Sequence, residues 1–324
     1  MTSGPQVGII IPVFNDWPSC AVLLRELDTH LGLAHRQASV VVVDDGSTVP
    51  MSPSLDALQT PQWIRSIEVV RLAYNMGHQK AIAIGLAYAA QNHSFDVTVV
   101  MDADGEDSPG DAIRLIARQA ETPSKIVFAK RGRRSEGGSF RLFYSIYKLL
   151  FRLLTGDEIS FGNFCSIPQL HLAQVARLPM IWTHFASGVM RSSLPIDLLP
   201  TARAKRYAGR SSMNLVSLVM HGLSAISVYV DVMTVRLILG ASVVVVVGVL
   251  GFLGLLYVRF FTPLAIPGWA TTVAIGLGMM VFQALSLLAF LSLVFLNYRV
   301  MPLPIPTRSF QDFILQVDTV RSHA

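Results

Sequence analysis

The apolar positions of this chain change character along its length. They fall first into short β-branched runs and, near the end, into two long stretches without charge. Val7–Val13, Ser39–Val43, Ile67–Leu72, Val97–Met101 and Lys125–Ala129 each predict a buried strand. Between the first two, Ser19–Leu31 places Val22, Leu23, Leu27 and Leu31 at helical spacing. Ala81–Ala90 predicts an alanine-rich helix, with Gly85 inside it small enough to lie close on a sheet. Strands alternating with helices predict an α/β fold: a Rossmann-like, mostly parallel, doubly wound sheet with helices on both faces. Phe143–Leu154 reads as a helix carrying Lys148 and Arg152 among apolar residues, which suits a membrane surface or an ordinary core equally. In Leu215–Val230, residues Leu215, Leu218, Val219, Gly222, Leu223, Ile226 and Val230 share one face, next to the basic run Arg203–Met213. That predicts an interfacial amphipathic helix.

Leu237–Val258 and Ala270–Leu296 carry no charge. Each is long enough to cross about 30 Å of hydrocarbon at about 1.5 Å per residue. Basic residues crowd before the first span (Arg203, Lys205, Arg206, Arg210, Arg236) and follow the second (Arg299, Arg308, Arg321), with only Arg259 between. The positive-inside rule then puts both ends in the cytoplasm and the short loop outside. The expected organisation is a cytoplasmic catalytic domain over 1–205, an interfacial segment over 206–235, two membrane helices over 236–298 and a cytoplasmic tail over 299–324.

Composition agrees with a soluble part joined to a membrane part. Of 324 residues, 52% are hydrophobic and only 15% charged, against about 25% charged in a soluble domain. The net charge of +5 suits anionic lipid or phosphate ligands, and no lysine-rich tail or zinc-finger spacing favours nucleic acid. Two cysteines, Cys20 and Cys165, make no disulfide framework and predict a reducing compartment. The opening residues lack a basic n-region and reach Pro12 and polar residues too early for a signal peptide.

Candidate chemistry sits at the strand ends, the edge where open α/β sheets bind ligands. The first strand runs into Phe14, Asn15 and Asp16, the second into Asp44, Asp45, Gly46 and Ser47, the third into Asn75, Gly77, His78, Gln79 and Lys80. The fourth enters Asp102, Asp104, Glu106 and Asp107. If the extended geometry continued, Asp102 and Asp104 would point the same way and suit a hard cation, Mg2+ or Mn2+. The other reading is an acidic loop that only solvates the strand end. Lys130–Arg141, with five basic residues and three glycines, is read as a mobile anion-binding loop. His78 and His184 are each read as structural or as hydrogen-bond donors more readily than as catalytic bases.

Taken together, Ile10–Asp16, Val42–Ser47, Asn75–Gly85, Met101–Asp107 and Arg206–Ser212 resemble, in the same order, the motifs of inverting family 2 glycosyltransferases with a GT-A fold. Within them the chain resembles the polyprenyl-phosphate branch, the dolichyl-phosphate mannose synthases and bacterial undecaprenyl-phosphate sugar transferases. The resemblance implies that Pro12, Phe14, Asp16, Asp44, Asp45, Gly77 and Lys80 line the nucleotide-sugar donor. It implies that Asp102, Asp104 and Glu106 hold Mg2+ or Mn2+, and that Arg131, Arg141 and Ser145 face the phosphates, the acceptor's included. Arg206 and Ser211 would close over the site. The implied partners are a UDP- or GDP-linked sugar, a polyprenyl phosphate and membrane lipids, and a homo-oligomer is compatible. Asp16 stands where Glu is usual, Glu106 where Gln is common and Ser212 where Lys is frequent. A pyrophosphorylase would need a Gly-rich loop in place of Pro12–Asp16, and a processive synthase a Q-x-x-R-W segment and more spans. A non-catalytic scaffold gives the charged clusters no role, whereas a diacylglycerol transferase shares the donor chemistry.

Overall fold

A computed structural model describes residues 5–51, 61–131, 138–158, 160–208, 215–263, 268–300 and 304–322. The chain divides into two compact units: Met1–Phe143, Ile159–Val228 and Leu303–Ala324 in one, Tyr144–Glu158 and Tyr229–Pro302 in the other.

The first unit is built on a sheet whose described strands are β1 (Val7–Val13), β2 (Ala38–Asp44), β3 (Ile64–Leu72), β4 (Val97–Val100), β5 (Ile126–Arg131), β6 (Cys165–Pro168), β7 (Ile196–Thr201) and β8 (Ile314–Ser322). Their order is β7-β5-β6-β4-β1-β2-β3-β8. Strands β1, β2, β3 and β4 pair in parallel, as do β5 and β7, while β6 and β8 run antiparallel to their neighbours. The expected mostly parallel α/β sheet is therefore present.

Both faces of the central strands are covered, which is why they read as unbroken apolar runs. Ile9, Ile11, Val40, Val42 and Val99 face one core with α1 (Trp17–Leu33) and its Leu23, Leu24, Leu27 and Leu31. The helix α3 (Pro109–Glu121) joins that core through Leu115 and Ile116, its Ser108 Oγ capping the N–H of Asp111. The alternate residues Ile10, Val41, Val43, Val70 and Val100 face the other core, with α2 (His78–Asn92). Gly85 makes that approach possible: a Cβ there would lie 2.6 Å from Ile10 Cγ2 and 2.8 Å from Val43 Cγ2.

The segment after the second apolar stretch returns to this unit. β8 pairs with β3 from Ser66–Ser322 to Leu72–Ile314, and Phe310 is buried in the α2 core. The hydrophobic pattern predicts no strand there.

In chain order, α4 (Gly138–Thr155) precedes β6, α5 (Gln169–Val175) and α6 (Phe185–Arg191) follow it, and α7 (Leu215–Ser227) comes after β7. On the expected apolar face of α7, Val219 and Leu223 are exposed, as is Met220 beside them. The second unit contains α8 (Val230–Phe261) and α9 (Trp269–Val300), the only two described helices long and apolar enough to cross a membrane. They extend the expected spans at both ends. Within the same unit, the Phe151 ring meets Tyr229 edge-on, and Arg236 donates to the Leu153 carbonyl at 2.8 Å. Leu149, Leu150 and Leu153 on α4 are exposed.

Candidate active site

Three loops meet at the carboxyl edge of β1, β2 and β4. After β1, Asn15 adopts a left-handed conformation (φ 53°). Its Oδ1 accepts the N–H groups of Thr48 (2.8 Å) and Val49 (3.1 Å), tying the first loop to the second. Asp44, buried at the end of β2, accepts the N–H of Ser47 at 2.9 Å and lies 3.4 Å from Arg71 Nε. Asp45, also buried, accepts the N–H groups of Met76 (2.7 Å) and Gly77 (2.9 Å). Burial raises its pKa against those hydrogen bonds. Pro12 is buried, Asp16 half-buried, and Phe14 and Lys80 exposed.

The third loop is the carboxylate turn. β4 ends at Val100, and Gly105 takes φ +88°, so the chain turns instead of continuing extended. The expectation that Asp102 and Asp104 point the same way from a continuing strand is corrected by that turn. Asp107 points inward, only 1% exposed, accepting the N–H of Asp102 at 3.0 Å and pairing with Arg131. Burial and the nearby Asp102 raise its pKa. Asp104 accepts the N–H of Glu106 at 2.9 Å and pairs with Arg206. Burial, with repulsion from Asp102, raises its pKa over the pull of Arg206. Glu106 pairs with Arg203, and lies 3.4 Å from Arg206 Nε and 3.7 Å from Arg131 Nη1.

The segment Arg203–Tyr207 lies along this turn. Ala204 N–H donates to the Glu106 carbonyl (3.2 Å) and Tyr207 N–H to the Asp104 carbonyl (3.0 Å). The Tyr207 ring packs on Gly105, where a Cβ would come within 2.5 Å of it, and its hydroxyl bonds Glu26.

Asp102 differs from its neighbours. Its Oδ1 is buried without a well-aligned hydrogen bond, although His78 Nε2 stands 3.2 Å away. Burial would raise the Asp102 pKa, but His78, Arg131 and Arg206 together lower it. Burial likewise pulls His78 down, and Asp102, Asp107 and Asp45 more than reverse it. Asn163 Nδ2 is 3.2 Å from the same His78 nitrogen. Beyond them, His184 Nε2 faces His221 Nε2 at 3.2 Å, while His184 Nδ1 accepts the N–H of Ser187 at the start of α6. Burial, with His221 and His78, pushes the His184 pKa down to about 3, so the ring stays neutral.

The donor types suit a hard divalent cation: carboxylate oxygens of Asp102, Asp104 and Glu106, with Asp102 Oδ1 buried and met only by His78, without good alignment. Among the described residues, however, no three carboxylate, histidine or thiol groups converge closely enough to enclose an ion. Asp104 and Glu106 are turned to arginines instead.

The structure thus brings Asp102, Asp104, Glu106, Arg131 and Arg206 together. Arg141 lies on the backbone of α4 with its side chain outside the described residues, and Ser211 and Ser212 lie outside them altogether, as does most of the expected cationic loop. Ser145 is exposed and belongs to the second unit. Sequence reasoning missed Arg203, Tyr207, Asn163 and His221. The pairing of a basic run with an acidic one was the available signal for the first.

Residues 8–172 match the family described as Glycosyl transferase family 2. An undecaprenyl-phosphate 4-deoxy-4-formamido-L-arabinose transferase of Erwinia tasmaniensis is 24% identical over 224 residues, covering 66% of this chain and 65% of that one. The same enzyme of Pseudomonas fluorescens is 29% identical over 154 residues, 48% of this chain and 44% of that one. The chain thus spans less than two thirds of the length of these transferases. An uncharacterized glycosyltransferase of Bacillus subtilis is 24% identical over 281 residues, 84% of this chain and 83% of that one. A mannosyl-3-phosphoglycerate synthase from Rubrobacter xylanophilus shares the fold, with a TM-score of 0.53 at 16% identity over 69% of this chain and 72% of that one.

Proposed function

The chain belongs to glycosyl transferase family 2, and we propose that it moves a sugar, with inversion, from a UDP- or GDP-linked donor to the phosphate of a polyprenyl phosphate. The observation that carries this reading is the carboxylate turn Asp102–Asp107 ringed by Arg131, Arg203 and Arg206. Such a site can meet both a cation and phosphate oxygens. The names of the undecaprenyl-phosphate transferases to which the chain is similar support the acceptor class.

In this reading the exposed Phe14 ring and the buried Asp44 and Asp45 loops receive the nucleoside, with Gly77 and Lys80 beside them. Asp102, Asp104 and Glu106 hold Mg2+ or Mn2+, which when bound neutralises charge on the departing diphosphate. Arg131 serves the phosphates, and Arg141 and Ser145 are assigned to them by the resemblance alone. Arg206, from the segment Arg203–Tyr207 that straps the turn, supplies a further cationic donor, and Ser211 is assigned beside it by the resemblance alone. A phosphate oxygen of the acceptor attacks the anomeric carbon. The bond from that carbon to the diphosphate breaks, and the electron pair leaves with the nucleoside diphosphate. A phosphate monoester has a second pKa of about 6 and is already ionised at neutral pH. No strong base is then required, which agrees with a His184 held neutral and a His78 engaged with Asp102.

The acceptor's chain requires a membrane. Helices α8 and α9, together with the exposed apolar residues of α4 and α7, support an integral and interfacial placement. The pairing of β8 with β3 joins the segments before and after the two helices in one unit. An out-and-back hairpin satisfies that, with both ends in the cytoplasm by the positive-inside rule.

The test is to incubate the purified chain with radiolabelled UDP- and GDP-sugars and a polyprenyl phosphate. The expected product is a labelled, acid-labile glycosyl phosphate lipid, absent when polyprenol or diacylglycerol replaces the phosphate. Label on diacylglycerol, or no transfer from any donor, would overturn the proposal.

A further inference from the structure

We propose that Arg203 is a positioning residue that holds Glu106 against the strap and competes with the divalent cation for that carboxylate, so that it sets the affinity of the site for the ion. This role rests on the metal reading above and concerns a residue that neither the motifs nor the resemblance assigned.

Charge sets the starting point. Asp102, Asp104, Glu106 and Asp107 put four carboxylates into six positions. Asp107 is fully engaged by Arg131 and the backbone of Asp102. Asp102 is met by His78. The two remaining carboxylates, Asp104 and Glu106, are the ones the strap takes, Arg206 on the first and Arg203 on the second. The strap is also fixed by two backbone hydrogen bonds to the same turn and by Tyr207 over Gly105. Arg203 therefore stands on one of the two Glu106 carboxylate oxygens, on a segment registered to the turn at both ends.

Residue 106 is a glutamate, so it brings a full negative charge into the turn. A glutamine would need no cationic partner. A glutamate, only 14% exposed beside two other carboxylates, does. Arg203 supplies that charge at the closest range when no ion does, with Arg206 Nε at 3.4 Å and Arg131 Nη1 at 3.7 Å farther off. With an ion on Glu106, the guanidinium would be free to meet phosphate oxygens, which its planar donors suit. One side chain then serves two states of the site.

The experiment measures Mn2+ binding by calorimetry on the full chain in detergent, for wild type, Arg203→Gln, Glu106→Gln and the double variant. Competition predicts that Arg203→Gln binds Mn2+ about tenfold more tightly than wild type, the loss of one charge-assisted contact. The same substitution on the Glu106→Gln background should change the affinity little, since no carboxylate is left to release. Arg203→Lys should restore most of the wild-type affinity. A second readout is trypsin cleavage after Lys205, which Mn2+ should accelerate in wild type as the strap loosens and should affect less in Arg203→Gln. Weaker or unchanged Mn2+ binding by Arg203→Gln, with binding intact in wild type, overturns the competition alone. Absence of Mn2+ binding in every variant overturns the metal reading and this inference with it.

Discussion

His184 should make the first unit sensitive to acid, by an amount that can be worked from its surroundings. The ring is 4% exposed, with His221 from α7 and His78 from the start of α2 as its nearest titratable neighbours. Its Nδ1 accepts the Ser187 N–H, so protonation would break the α6 cap as well as place a charge among histidines. A group that binds its proton less readily when folded favours the unfolded chain in acid. Its stabilising contribution is complete above the ordinary histidine pKa of about 6.5 and is lost as pH falls toward the folded value of about 3. At roughly pH 5 the result hardly depends on how far below 5 the folded value lies. About 1.5 units at about 1.4 kcal/mol each gives a loss of ~2 kcal/mol. His221, lowered by its own burial and by His78, adds a loss of the same sign. Hydrogen exchange of the Phe185–Arg191 amides, corrected for intrinsic rates, should therefore lose about 30-fold protection between pH 8 and pH 5. His184→Asn keeps a good capping oxygen but cannot titrate, so its pH dependence should be flatter by about that factor. Parallel loss of protection in wild type and variant would refute the assignment.

Asp104→Ala should lower transfer by about 100-fold or more while far-UV circular dichroism stays native, because Asp104 bonds only the turn and the strap; full turnover would remove it from the metal set. Gly85→Val should destabilise the first unit by about 1–3 kcal/mol, seen as a lower unfolding midpoint, since the added atoms meet Ile10 and Val43; an unchanged midpoint would contradict the close approach of α2. A cysteine placed at Pro263, in the turn between α8 and α9, should react with an impermeant maleimide only from outside, and labelling from the cytoplasmic side alone would reverse the topology.

Much of the sheet was legible because burial on both faces leaves an unmistakable run. β1, β2, β3, β4 and β5 all fall where β-branched stretches predict them. The strands that escaped have a different physical situation. β6 has four residues, and its buried Ser166 donates its hydroxyl to Gln119 Oε1 at 2.9 Å. β7 carries Asp197 and Pro200, residues that argue against a strand when read locally. β8 has Leu315 and Val317 exposed on an edge, so its apolar positions do not mark a buried face. Its place is decided by pairing with β3, some 250 residues earlier in the chain. Helix α3 was legible in principle, from Ser108, Pro109 and the pair Leu115 and Ile116, and its charged outer face hid it.

The site was legible as residue types and not as partnerships. Asp44, Asp45 and the carboxylate turn stand out, because acidic residues placed directly after an apolar strand lie at the sheet edge where ligands bind. Which carboxylates are available for chemistry is a different question, and spacing does not answer it. Asp107 sits in the same acidic run as Asp104, yet it is buried and bonded to the backbone of Asp102 and to Arg131. Replacing it would break the turn before it touched a ligand. Asp102 keeps an oxygen without a well-aligned partner. Asp104 and Glu106 are held by arginines about a hundred residues away in sequence. The distinction between a structural, an open and a latched carboxylate therefore arises only when the strap after β7 closes on the turn after β4, and it is this closure that orders one acidic run into separate roles.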